Sequence, residues 1–192
     1  MSTPRQLHQT IDVSAFILAG GQSRRMGRDK ALLPWHGHTL LDHMIRLVRK
    51  VADPVQVVGR APLPDRLPGL GPLSGISTGL EASSTDANLF VAVDLPFLTE
   101  DFLNFLRTRL ENSRHPLLAC KIGSVFPLCL GIWRPMLPEI QRHLEARLLS
   151  VHGLIEGVPS EIISELELRR EGFDPAIFRN INTPEDWENP FQ

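Results

Sequence analysis

The chain has 192 residues, 42% of them hydrophobic, with 20 Lys and Arg against 22 Asp and Glu and two cysteines. That length encloses a full core with no disulfide or metal staple, and the near-neutral charge argues against a generic nucleic-acid or acidic-membrane binder, so any attraction for phosphate must be local. Cys120 and Cys129 form no CxxC pair, which argues against a disulfide scaffold or a cysteine-based zinc site and fits a reducing compartment. Residues 1–12 are polar and read as a flexible N-terminus without the apolar core of a signal peptide, ahead of a single domain at 13–192. Apolar runs stay far below the roughly 20 residues that span a bilayer, so the expected location is cytoplasmic.

VSAFIL at 13–18 is an apolar run that stops at Gly20-Gly21 and predicts a buried strand. Over 39–52 the period changes: Leu41, Met44, Ile45, Val48 and Val51 form a helical stripe behind a Thr39 cap. VQVV at 55–58 reads as the next strand. A proline- and glycine-rich loop at 63–72 leads to Pro72, which suits the first turn of a helix running to about Ala82. NLFVAV at 88–93 predicts a third buried strand, ended by Asp94-Leu95-Pro96. Thr99, Glu100 and Asp101 open a helix that faces Phe102, Leu103, Leu106 and Leu110 inward, its acidic start suiting the helix dipole. Residues 116–122 and 126–133 predict neighbouring strands joined by a turn at Gly123. Leu137, Ile140, Leu144 and Leu148 mark a further helix, EIISEL at 161–166 a late strand, and Thr183-Pro184-Glu185-Asp186 a helix start. The charged stretch from Glu165 to Glu171 reads as surface.

Alternation of strands and helices predicts an α/β fold, a Rossmann-like three-layer sandwich: a mostly parallel sheet with helices on both faces and hairpin-like additions toward the C-terminus. Ligands of such sheets sit at the carboxyl ends of the strands, which directs attention to 19–30, 59–75, 94–98 and 180–183.

The segment after the first strand is LAGGQSRRMGRDK at 18–30. Gly20, Gly21 and Gly27 permit a tight turn and close backbone approach to a ligand. Arg24, Arg25, Arg28 and Lys30 cluster cations that suit an anion such as a triphosphate, and guanidinium and ammonium groups can neutralise charge growing on a leaving pyrophosphate. The loop lacks the GK[ST] of a P-loop and the GxGxxG of a dinucleotide fingerprint.

LAGGQSRRMGRDKALL resembles the signature loop of the molybdenum cofactor guanylyltransferases, within the nucleotidyltransferase superfamily. GPLSGI at 71–76, VDLPFL at 93–98 and NINTPEDW at 180–187 resemble that family's later motifs, in order. The resemblance implies transfer of GMP from GTP to the terminal phosphate of the Mo-molybdopterin cofactor, with release of pyrophosphate and a requirement for Mg²⁺. It implies that Leu18, Ala19, Gly20 and Gly21 hold the guanine nucleotide and that Arg25 and Lys30 hold its phosphates. LAGG, in place of LAAG, resembles the guanine users. The implied partners are GTP and Mo-molybdopterin as substrates, with cofactor-insertion proteins and molybdoenzyme chaperones downstream, and neither nucleic acid nor membrane; a monomer is the default.

Asp94 follows the third strand directly, where a hard carboxylate can hold Mg²⁺ that bridges phosphates, alongside the reading of a turn cap. With Arg25 and Lys30 it makes the expected catalytic set. Asp65, in the loop before Gly71, is either a guanine or ribose contact or a solvated carboxylate. Gly71 and Pro72 place a helix N-terminus near the site. Asn182 is either an acceptor contact or a partner of the Thr183 cap. Two positions depart from the family: Gly59, where relatives often carry a polar nucleotide contact, and Phe126, where they often read His-Pro. His36 and His38, an HxH with no third ligand, read as solvated. The competing functions are another nucleotidyltransferase, using CTP or a sugar phosphate, and a non-catalytic GTP-binding protein that delivers the cofactor.

Overall fold

The computed structural model describes residues 11–20 and 29–181. A six-stranded sheet is built from β1 (Val13–Leu18), β4 (Val55–Val58), β5 (Ala87–Ala92), β6 (Leu117–Lys121), β7 (Cys129–Trp133) and β8 (Ser160–Ser164), while β2 (Pro34–Trp35) and β3 (His38–Thr39) form a small separate hairpin. The helices are α1 (Leu40–Val48), α2 (Pro72–Ala82), α3 (Glu100–Asn112), α4 (Leu137–Glu145), α5 (Val151–Gly157) and α6 (Glu165–Arg170). Strand order is β4-β1-β5-β7-β6-β8. The β1–β4, β1–β5 and β6–β8 pairs are parallel, and β7 is antiparallel to both of its neighbours. The mostly parallel α/β sheet expected from the alternation is therefore present, with β7 as its one reversed strand.

Side-chain alternation explains the two covered faces. Val13, Ala15 and Ile17 of β1 and Leu89 and Val91 of β5 join one core with Leu40, Met44 and Val48 of α1 and Phe102, Leu103 and Leu106 of α3. Phe16 and Phe90 point the other way, into a second core with Leu73, Ile76 and Leu80 of α2, Ile140 and Leu144 of α4, and Leu154 and Ile155 of α5. Their rings stack at 5.1 Å, and α2 lies so close that a Cβ on Gly79 would sit 2.6 Å from Phe90. A glycine there lets the helix approach the sheet.

Local chemistry sets the helix boundaries. Thr39 and Asp42 close a reciprocal capping box at the start of α1, a device worth about 1 kcal/mol. Thr99 caps α3, and Phe102, Leu103, Leu106 and Leu110 are its buried face, as the periodicity predicts. The strand expected at 126–133 begins only at Cys129, α5 has no counterpart in the sequence reading, and other segments also differ from it. Leu148 lies beyond the end of α4 and is exposed, because the chain turns at Arg147 with a φ of 59°. The late strand stops at Ser164, whose hydroxyl accepts from Glu167 N and starts α6. Within that charged stretch Leu168 is buried and Glu167 pairs with Arg109 of α3 at 2.7 Å, so only part of it is surface. The helix start expected at Thr183 lies outside the described residues.

Candidate active site

The parallel strands carry their carboxyl ends to one edge of the sheet, and a cleft of about 240 Å³ opens there. It is lined by Leu18, Ala19 and Gly20 at the end of β1, by Asp29, Lys30 and Ala31, by Pro72 at the start of α2, by Ala92, Val93 and Asp94 at the end of β5, and by Leu128. Segments far apart in sequence are thus brought together by topology: β1 and β5 are adjacent and in register, Leu18 opposite Ala92.

Across this cleft Lys30 Nζ lies 3.4 Å from Asp94 Oδ2, with both side chains about one-fifth exposed. Lys30 opens a short 3₁₀ turn, Lys30–Leu32, whose cap is Asp29: the Asp29 carboxylate accepts from Ala31 N at 3.1 Å. The same Asp29 oxygen pairs with the Arg60 guanidinium, and that hydrogen bond holds the Asp29 carboxyl below the usual carboxylate range. Pro72 is the first residue of α2 and Gly71, at a φ of 76°, its cap, so the helix N-terminus faces the cleft as the loop composition predicts.

Asp65 is engaged elsewhere. Its Oδ1 accepts from Leu67 N at 3.1 Å and from the hydroxyls of Ser74 and Thr78, which ties the loop to the first turns of α2. It is not among the residues lining the cleft. Gly21, Arg25 and Asn182 lie outside the described residues, as do Arg24, Gly27 and Arg28. The segment just before Asn182 does reach the site, since Ile181 N donates to the backbone carbonyl of Asp94 at 3.1 Å. His36 and Gly37, with φ of 46° and 83°, make the two-residue turn of the β2–β3 hairpin, and His38 contacts Arg46 at 2.6 Å. Among the described residues no group of three or more His, Cys, Asp or Glu side chains gathers to hold a metal.

Residues 15–156 match the model of the MobA-like NTP transferase domain. The chain belongs to this family. It is accordingly a nucleotidyltransferase. It is 33% identical over 187 residues to the probable molybdenum cofactor guanylyltransferase of Carboxydothermus hydrogenoformans, covering 92% of this chain and 94% of that one. It is 35% identical over 188 residues to the molybdenum cofactor guanylyltransferase of Xanthomonas euvesicatoria pv. vesicatoria, covering 91% and 94%. In fold it is similar to the molybdopterin-guanine dinucleotide biosynthesis protein A of Archaeoglobus fulgidus, with a TM-score of 0.75 at 22% identity over 92% of this chain and 95% of that one.

Against this MobA-like frame the two departures acquire physical reasons or neighbours. Gly59 has a φ of 92°, and a Cβ built there would sit 2.3 Å from Gly20 Cα and 2.4 Å from Gly20 N. No side chain fits, because the end of β4 rests directly on the backbone that lines the cleft. Phe126 meets the His152 ring edge-on at 4.9 Å and carries Lys121 Nζ 5.4 Å from its centroid. Sequence reasoning missed Asp29, Arg60 and Leu128. Asp29 carried a signal, an acidic residue immediately before a turn, but the four cations around it dominated the reading. The Arg60 pairing spans 31 residues and has no local signature.

Proposed function

We propose that this chain transfers the GMP moiety of GTP to the terminal phosphate of Mo-molybdopterin, forming a guanine dinucleotide cofactor and releasing pyrophosphate. One observation carries the reading: Lys30 and Asp94 face each other at 3.4 Å in a cleft whose wall is the Leu18-Ala19-Gly20 backbone. A cation, a carboxylate and a close-approach glycine surface in one cleft are what a nucleoside triphosphate requires, and the names of the relatives point to guanine and to the molybdenum cofactor.

The attacking oxygen belongs to the acceptor phosphate, so no nucleophilic side chain is needed, and the protein contributes position and charge. Gly20 lets the nucleotide lie against the main chain. Lys30 exchanges its contact with Asp94 for the phosphates and offsets charge as pyrophosphate departs, with Arg25 as its expected companion. Asp94 presents a hard oxygen ligand, and one carboxylate together with substrate phosphates fits the way Mg²⁺ is ordinarily held, with several waters retained. When bound, Mg²⁺ would supply charge neutralisation at the phosphates. Asn182, following Ile181 on the segment tied to Asp94, is the proposed acceptor contact.

The test is pyrophosphate release by the purified protein with Mg²⁺, molybdopterin acceptor and GTP, CTP or UTP in turn. Release with GTP, dependent on the acceptor, is expected; equal or greater release with CTP or UTP contradicts the guanine assignment, and tight GTP binding without release contradicts transfer.

A further inference from the structure

Paired with Asp29, the residue before Lys30, but outside the cleft lining, stands Arg60 on the turn after β4. Its backbone is fixed on both sides: Gly59 N donates to Leu63 O at 3.0 Å, and both Val58 and Arg60 bridge to Leu63. Gly59 itself is pressed on Gly20, so the first residue after it that carries a side chain is launched from a backbone locked to the floor of the cleft. That side chain is three-quarters covered and turns to Asp29. Among the described residues its Nε is buried with no hydrogen-bond partner, which a freely solvated surface arginine would not tolerate.

We infer that Arg60 is a positioning residue of the transfer reaction: by gripping Asp29, the cap of the turn that begins at Lys30, it fixes where the Lys30 ammonium meets the triphosphate. The oxygen of Asp29 that Arg60 holds is the one that accepts from Ala31 N, so the ion pair and the cap share one atom, on the residue next to Lys30 in the cleft lining. Loss of the grip lets the turn shift by a fraction of its own width. A misplacement of about 1 Å at a reacting centre costs on the order of 100-fold in rate. The kinetic part of this inference rests on the proposed function, whereas the placement of Lys30 does not.

Two measurements on the full chain test it. In pyrophosphate release from GTP, Arg60→Gln should lower kcat by about 10–100-fold and change KM for GTP by less than about threefold, with Arg60→Lys recovering part of the loss through its ammonium. Asp29→Asn keeps an acceptor for Ala31 N but loses the charge. It should match Arg60→Gln, and the double variant should be no slower than about threefold below either single one, because the two act as a unit. Independently of substrate, acylation of Lys30 by an amine reagent, read by peptide mass spectrometry against exposed Lys50, should rise about threefold or more in Arg60→Gln. Wild-type kcat together with unchanged Lys30 labelling would overturn the inference, as would labelling that rises equally at Lys50. A wild-type protein that releases no pyrophosphate refutes the proposed function, and the labelling still decides the role of Arg60.

Discussion

The contact between Gly59 and Gly20 predicts a loss that can be worked out in advance. In Gly59→Ala the new Cβ must move from 2.3 Å to the 3.4 Å of an ordinary contact, and its neighbours are backbone atoms that cannot rotate away. The ends of β1 and β4 must therefore part, at a cost comparable with overpacking a core, about 1–3 kcal/mol. The φ of 92° adds backbone strain of about 1–3 kcal/mol. Gly37 is the matched control, since it has a similar φ of 83° and its Cβ would meet nothing within 4 Å. Gly37→Ala carries the strain without the clash. For a chain of this size each kcal/mol shifts Tm by about 2–4 °C, so Gly59→Ala should melt about 4–24 °C below wild type and Gly37→Ala about 2–12 °C below. Thermal unfolding followed by circular dichroism reads both, and a GTP titration below the transition should show weaker binding only in Gly59→Ala. Equal Tm losses in the two variants, or undiminished GTP affinity in Gly59→Ala, would refute the argument that the Gly59 backbone supports the cleft.

Three substitutions probe the remaining chemistry. Asp94→Asn should cut Mg²⁺-dependent pyrophosphate release by 100-fold or more, on the order of one lost charge-stabilising group, while Tm moves by about 2 °C or less, because its partly exposed pair with Lys30 contributes little to stability; release at the wild-type rate would remove the metal role. Lys30→Ala should weaken GTP binding in a titration and lower kcat/KM by about 100–1,000-fold, and a variant with unaltered affinity and rate would contradict its assignment. His43, whose Nε2 lies 3.0 Å from Pro96 O, has its pKa pushed down by burial, with the nearby His36 acting in the same direction. A histidine depressed in the folded state contributes stability that is present above its unfolded pKa of about 6.5 and lost as pH falls through the folded value. The fall in Tm between pH 7 and pH 5 should therefore be shallower in His43→Gln, which can still donate to Pro96 O; parallel curves for variant and wild type would refute the assignment.

How much was legible in the sequence depended on how local the signal was. Val13–Leu18, the Thr39 cap, Pro72 at a helix start and the inward face of α3 are all written within a dozen residues, and the structure follows them closely. The helix at Val151–Gly157 left no comparable trace: seven residues with two glycines give too short a stripe, and its burial through Val151, Leu154 and Ile155 is a tertiary fact. The switch from β8 to α6 is equally hidden, since apolar residues continue through Ile163, Leu166 and Leu168 while only the Ser164 cap marks the change. At the site, Leu18 to Gly20 and Lys30 stand out through the resemblance of the loop after the first strand, and Asp94 also because it follows a strand, and all of them line the cleft. Asp65 reads as either a guanine or ribose contact or a solvated carboxylate, and its carboxylate is instead directed to Ser74 and Thr78, partners that spacing does not reveal. Gly59 read as a missing contact. It is instead a place where backbone replaces any contact a side chain could make.

The end of β5 shows how the main chain holds Asp94 in position. Val93 N donates to Leu18 O at 3.1 Å, Ala92 N to Leu128 O at 2.8 Å, and Asp94 O accepts from Ile181 N at 3.1 Å. Three consecutive residues are thereby tied to the strand that bears the glycine loop, to the chain leading into β7, and to the segment approaching the C-terminus. Each tie joins residues at least 36 positions apart, so none can be satisfied until the sheet has assembled, and once satisfied they leave the Asp94 backbone little freedom. The conformational cost of placing the carboxylate is thus met on folding, before any nucleotide binds, which is the condition under which fixed charges stabilise a transition state most effectively. The same three ties hold Leu18, Leu128 and Ile181 against one short stretch of chain, so the carboxylate of Asp94 is presented from a main chain anchored on three sides.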